Sequence, residues 1–314
     1  MPVVGALLRW DLWPSFFYDD CAILDCVPAA MPASTDELRA LLHLLDDPDP
    51  TVQGSVQERL AHLGRDALPG LRALRDTVPA EQRSTVDDLI HTLHLRDVET
   101  AWHATLNANP VHLERGAFLL ALYRFPQLDI AAYQEQLDHW ADEVRPAVEA
   151  ATGAQRALVV SEFMADTLEF TGNRDHYYDP NNSYLNRVID RRTGIPISLS
   201  VVLLLLARRL DLPLCGVNMP AHFLVKYAGP GGELYLDPFN DGAVVQKDDC
   251  VRFLLKAGVR AHPRFLACAS ATDTLLRMGR NLLAIARESD QKQTGAELAR
   301  LLGPHDPSVE VEND

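Results

Sequence analysis

The run SLSVVLLLLA, residues 198–207, restricts what this chain can fold into more than any other stretch. A surface helix keeps a polar stripe, whereas this segment is apolar nearly all the way round and has to be enclosed by protein on most sides. Its uncharged apolar part, Leu199 to Ala207, is far shorter than the roughly 20 residues that cross a bilayer, so it reads as a central core helix. Pro196 fits the first turn of that helix, where a missing N–H costs nothing because the donor there has no intrahelical partner. Gly194 is expected to stop the preceding helix, built on Leu185, Val188 and Ile189 with Ser183 as its cap.

A helix of this kind needs a substantial shell, and 314 residues with 47% hydrophobic content can supply one. The net charge of -15 repels phosphate backbones, and no basic run exceeds two residues, so no nucleic-acid partner is expected. Arg9 and Asp11 interrupt the apolar N-terminus before a secretory segment can form, and no membrane association is expected. Cys21, Cys26, Cys215, Cys250 and Cys268 are odd in number and lack a repeated spacing, which points to reduced thiols in a cytoplasmic protein. His112 and His139 match no helical metal site, and neither a metal nor a cofactor is expected.

Hydrophobic periodicity divides the chain. Residues 1–30 read as an extension or a misassigned start. Over 31–98, Leu38, Leu41, Leu42 and Leu45 form one helical stripe, Val52, Val56, Leu60 and Leu63 a second, and two further helices repeat the plan on Leu68, Leu71 and Leu74 and on Val86, Leu89, Ile90 and Leu93. The phrases LLDDPDPTV and ERLAHLG resemble HEAT-like repeats, whose stacked surfaces often bind proteins. Residues 99–268 form the main domain, 269–303 a helical hairpin, and 304–314 an acidic, mobile tail.

Beyond Pro213 the periodicity changes to two. LCGVNM, HFLVKY and GELYLD read as strands, the last two as a hairpin with residues 228–231 as its turn. That turn pairs Tyr227 with Gly232 and sets His222 opposite Asp237 on one face, close enough for a carboxylate to orient an imidazole.

The run NRDHYYDPNNSYLNRVIDRRTGIPISLSVVLLLLARRLDLPLCGVNMPAHFLVKY, followed by LYLDPFNDG, resembles the SirB-type transglutaminase-like family, more weakly from about residue 100 to 265. The resemblance implies a papain-like core in which a helix N-terminus carries a nucleophile and an antiparallel sheet carries its His and Asp. His222 and Asp237 match those two positions. Active relatives carry a Cys fifteen residues before a glycine matched here by Asp211, and that count lands on Pro196. Proline offers no thiolate, so the covalent route is closed at that position.

The expected fold is therefore α+β and predominantly helical, with a transglutaminase/papain-like core behind the HEAT-like region. The expected function is a non-catalytic, protein-binding or scaffold role with a protein partner. Binding candidates are Asn173, Arg174, Tyr178, Asp179, Asn182, Ser183, Gly194 and Ser198, beside the remnant pair His222 and Asp237. The alternative is an unconventional hydrolase or amide-transferring enzyme using Cys215 or Ser198, although Ser198 sits about 200° round the helix from Pro196.

Overall fold

Capping chemistry starts the first helices of the computed structural model, which describes residues 34–44, 47–230 and 232–309. Ser34 Oγ accepts the Glu37 N–H at 3.1 Å and opens α1 (Thr35–Leu44). Asp49 accepts the Thr51 N–H at 2.9 Å just ahead of Pro50, opening α2 (Pro50–Leu63), and Gly64 ends it at a φ of 51°. With α3 (Leu68–Arg75) and α4 (Arg83–Asn107) these helices close a core of their own through Leu38, Leu60, Leu71 and Val86. The boundary read at residues 98 and 99 falls inside α4, which runs through it unbroken. Its first half serves this small core, and Val98 and Trp102 on its second half serve the main one.

The main core is assembled from α5 (Leu113–Arg124), α6 (Ile130–Ala150), α7 (Gln155–Glu162), α8 (Leu185–Arg191) and α9 (Pro196–Arg209). α9 is the helix the apolar run predicts. Leu199, Val201, Val202, Leu203 and Leu206 are wholly buried, each side chain worth roughly 1.5–3 kcal/mol over exposure. Its far end is held by Arg209, which reaches Glu114 of α5 with two bonds of 2.8 and 2.9 Å. α8 ends at Arg192, in the left-handed conformation, two residues before the Gly194 expected to stop it. Gly194 instead lies in β2 (Thr193–Gly194), paired in parallel with β1 (Thr171–Gly172).

An antiparallel meander follows, β3 (Leu214–Met219), β4 (His222–Tyr227), β5 (Leu234–Asp237) and β6 (Ala243–Val245), in that spatial order. Alternation divides its side chains. Phe223, Val225, Tyr227 and Leu236 enter the main core with α9. Val217, Met219, Leu224 and Tyr235 form a third, smaller core with Cys250 and Leu254 of α10 (Lys247–Lys256).

The chain finishes its described part with α11 (Ala271–Glu288) and α12 (Lys292–Leu302). Within the stretch read as a mobile tail, the described residues 304–309 pack against the helices. Asp306 pairs with Arg280 of α11, His305 Nε2 lies 3.0 Å from His103 Nδ1 of α4, and Val309 is buried. The extension read over residues 1–30 lies outside the described residues. Among the described residues no helix is long and apolar enough to cross a membrane.

Candidate functional site

β4 and β5 bring His222 and Asp237 together by a register different from the expected one. Tyr227 pairs with Leu234 and Val225 with Leu236, because β5 begins two residues later than a four-residue turn requires. An even slip preserves parity, so both side chains still project from the same face. Asp237 becomes a diagonal neighbour of His222, a span that long side chains cover. His222 Nε2 donates to Asp237 Oδ2 at 2.8 Å, with the two side chains only 14% and 6% exposed.

The carboxylate is saturated with donors. Its Oδ1 accepts the backbone N–H groups of Phe239 and Asn240 at 3.1 and 3.3 Å, and its Oδ2 also accepts Asn240 Nδ2 at 2.7 Å. Burial pushes the Asp237 pKa up, but the bonds from His222 and Asn240 outweigh it and hold the carboxyl below its ordinary value. An ionised Asp237 keeps the proton of His222 on Nε2. Nδ1 is bonded to no described residue.

Aromatic rings frame the imidazole. Phe239 stands 6.3 Å away and Phe253 of α10 5.5 Å away, centroid to centroid, and Tyr177 and Tyr178 extend the row beyond Phe239. Tyr178 is 66% exposed, so the row continues into solvent. Arg174 stacks over Phe239 at 5.4 Å and donates to Asn240 Oδ1 at 2.7 Å. Arg174, Asn240, Asp237 and His222 thus form one unbroken chain of hydrogen bonds.

The other residues expected to bind divide into scaffold and surface. Asn173 donates to Asn182 at 3.1 Å and accepts the His176 N–H, while Asn182 donates to the His176 carbonyl at 2.7 Å. Asp179 is tied to Arg191 at 2.8 Å. These three hold the loop, and Arg174 and Tyr178 face outward from it. Ser183 does not cap α8. Tyr184 holds the cap position without a side-chain bond, and Ser183 Oγ is buried with no partner. Gly194 is required where it lies, because a Cβ there would come within 2.6 Å of Ser198 Oγ.

The helix side of the site is sealed. Pro196 opens α9, and Ser198, wholly buried, donates to the Asn182 carbonyl at 2.6 Å and accepts the Ile195 N–H at 3.1 Å. The start of α9 lies beside the Pro238–Asn240 turn because β2 leads directly into it while β1 packs on that turn. A Cβ on Gly172 would come within 2.4 Å of the Phe239 carbonyl. Cys215, the thiol expected as a substitute nucleophile, is bonded to Cys268. Residue 268 pairs with Val217 alongside β3, which brings the two sulfurs together across 53 residues of sequence. Reduced thiols are therefore not what this pair shows, and the cytoplasmic expectation loses that support. Cys250 is a free thiol but buried, and burial raises its pKa further.

Asn240, Phe239, Tyr177 and Phe253 are functional neighbours that reading the sequence did not single out. The phrase DPFN carried a signal for Asn240, since an Asp followed by Pro caps a short turn and draws the third residue back onto its carboxylate. Two concavities lie elsewhere, one lined by Leu41, Val52 and Val56 and the other by Arg156, Leu212 and Tyr227, and neither touches His222.

A family model described as transglutaminase-like superfamily matches residues 131–280, which include both partners of the pair. The UPF0162 protein of Xylella fastidiosa strain 9a5c is 35% identical over 203 residues, covering 62% of this chain and 72% of the relative. The chain belongs to the UPF0162 family. A UPF0162 protein of Pseudomonas aeruginosa is 32% identical over 181 residues, 56% of this chain and 66% of its own length. F-box only protein 21 of Homo sapiens is 36% identical over 137 residues, which are 41% of this chain and 21% of that protein. No solved structure matches.

Proposed function

We propose that this UPF0162 chain is a non-catalytic transglutaminase-like module that binds a protein segment along the aromatic rim around His222. One observation carries the reading. The sheet half of a catalytic centre is fully built, while the helix start carries a proline and the two substitute nucleophiles weighed from the sequence, Ser198 and Cys215, are engaged elsewhere. Pro196 occupies the helix start, Ser198 is buried and hydrogen-bonded, Cys215 is in a disulfide, and Cys250 is buried. The similarity to a fifth of F-box only protein 21 supports a stretch that works as a module in chains of different build. The HEAT-like character of α1 to α4 and the papain-like layout of α9 on the sheet belong to the same proposal.

A second reading is favoured by the 2.8 Å His222–Asp237 bond with Nδ1 unengaged: an unconventional hydrolase or amide-transferring enzyme. Broad thiol-reactive and serine-reactive probes, with labelled positions mapped by mass spectrometry, separate the two. The binding reading expects no label whose appearance depends on His222. Selective labelling of Ser198, Cys215 or Cys250 that disappears in His222→Ala overturns it in favour of the enzyme.

A further inference from the structure

α11 sends one cation into the neighbourhood of His222 with no counter-ion among the described residues. Arg277 Nη1 donates to Asn218 Oδ1 and to the Met219 carbonyl at 2.6 Å, and its guanidinium lies over the Phe223 ring at 5.7 Å. Asn218 and Met219 are the β3 partners of Phe223 and His222, so this anchor lies at the same end of the sheet as the imidazole. Tyr177, in the aromatic row, is close enough to interact electrostatically with the guanidinium.

Five N–H donors belong to an arginine, and this one uses only its Nη1 group. Nε and Nη2 are bonded to no described residue, yet neither is sealed from solvent. Those two atoms form the side-on fork that matches a carboxylate with two parallel bonds. Among the described residues no carboxylate oxygen pairs with Arg277, whereas the buried Arg209 is paired with Glu114. Burial lowers the Arg277 pKa, and the nearby positive charge of Arg280 acts in the same direction, so a bound anion would relieve both.

We infer that the rim around His222 recognises a peptide carboxylate, which the open fork of Arg277 receives while Tyr177, Tyr178 and Phe239 take the apolar side chains beside it. This rests on the protein-binding reading and supplies the chemistry of the partner. A chain of net charge -15 repels acidic peptides at long range, so the selectivity has to arise from local cations, the open fork of Arg277 and, on the outer rim, Arg174 beside Phe239.

The test pans a random octapeptide library on the immobilised full chain. Enriched peptides are then synthesised as pairs, with each Asp or Glu either kept or changed to its amide and the terminal carboxylate either free or amidated. The expected result is at least about tenfold tighter binding of the acidic member, the scale of hydrogen bonds to a charged group. Arg277→Gln removes that preference, and Arg277→Lys retains a reduced one. Circular dichroism and thermal melting check that both variants fold. Tyr178→Ala, at an exposed position, weakens both members of a pair and needs no such control.

Pairs that bind equally, or a preference that survives Arg277→Gln, overturn the carboxylate inference. If binding in that case still depends on Tyr178, the protein-binding reading stands without it. Peptides no more enriched than on an unrelated protein overturn both.

Discussion

The two sides of the site differ in how their side chains are employed. At the start of α9 every group serves the fold: Pro196 fills the first turn, Ser198 ties Ile195 to Asn182, and the leucines behind them are wholly buried. At the rim of β4 and β5 the fold leaves groups unengaged by described residues. Asp237 has more donors than a capping residue needs, His222 keeps a free nitrogen, and Arg277 keeps a free fork. A catalytic centre would require both sides to be poised toward one reacting atom. On the proposed reading, one side is architecture and the other is equipped for recognition.

Substitutions on the helix side should therefore cost stability first. Leu199→Ala removes a fully buried side chain from the middle of the main core and is expected to cost about 2–5 kcal/mol in a urea melt. Ser198→Ala leaves the Ile195 N–H and the Asn182 carbonyl without their buried partner, and about 2–3 kcal/mol is expected by the same measurement. A Ser198→Ala protein as stable as the parent would break the contrast, because the hydroxyl would then be free for other use.

Much of this contrast was legible in the residues. A ten-residue apolar run can only be a buried helix, and period-two alternation puts His222 and Asp237 on one face whatever the turn length. Turn length itself is not fixed by parity, so the register came out two residues away while the pairing survived. The Cys215–Cys268 pair was hidden because pairing depends on which loop lies against β3, and spacing does not encode that. Ser183 has the chemistry of a cap, but the preceding turn at Pro180–Asn182 buries it one residue too early. Arg277 had no signal, being an ordinary helical arginine until α11 is placed against the sheet. β6, three residues long, is too short for periodicity to detect.

On the sheet side the expected stability effect is smaller and depends on pH. Asp237 is held below its unfolded carboxylate value, so its contribution is present above the unfolded pKa of about 3.9 and is lost as pH falls through the folded value. Asp237→Asn should cost about 1–2 kcal/mol near neutrality, and thermal melts of parent and variant should converge as pH is lowered past 4. A gap between the two that stays constant down to acid pH would mean that the carboxylate's charge does nothing for the fold.

The smallest expected change in stability gives the sharpest comparison of the two sides. Pro196→Cys restores a thiol at the first turn of α9, where proline contributes mainly by restricting the unfolded chain, so a cost of about 0.5–1 kcal/mol is expected. A helix N-terminus favours the thiolate, but residue 196 is buried like Cys250, so iodoacetamide should alkylate both slowly and the readout is how the rate at residue 196 responds to the imidazole. If the rim still faces the helix start, the unengaged nitrogen of His222 assists, and His222→Ala slows alkylation of residue 196 several-fold while Tyr178→Ala does not. Alkylation at the same rate with and without the imidazole would show that the rim has turned away from α9 altogether. The proposed lack of catalysis would then rest on the geometry of both sides and not on the proline alone.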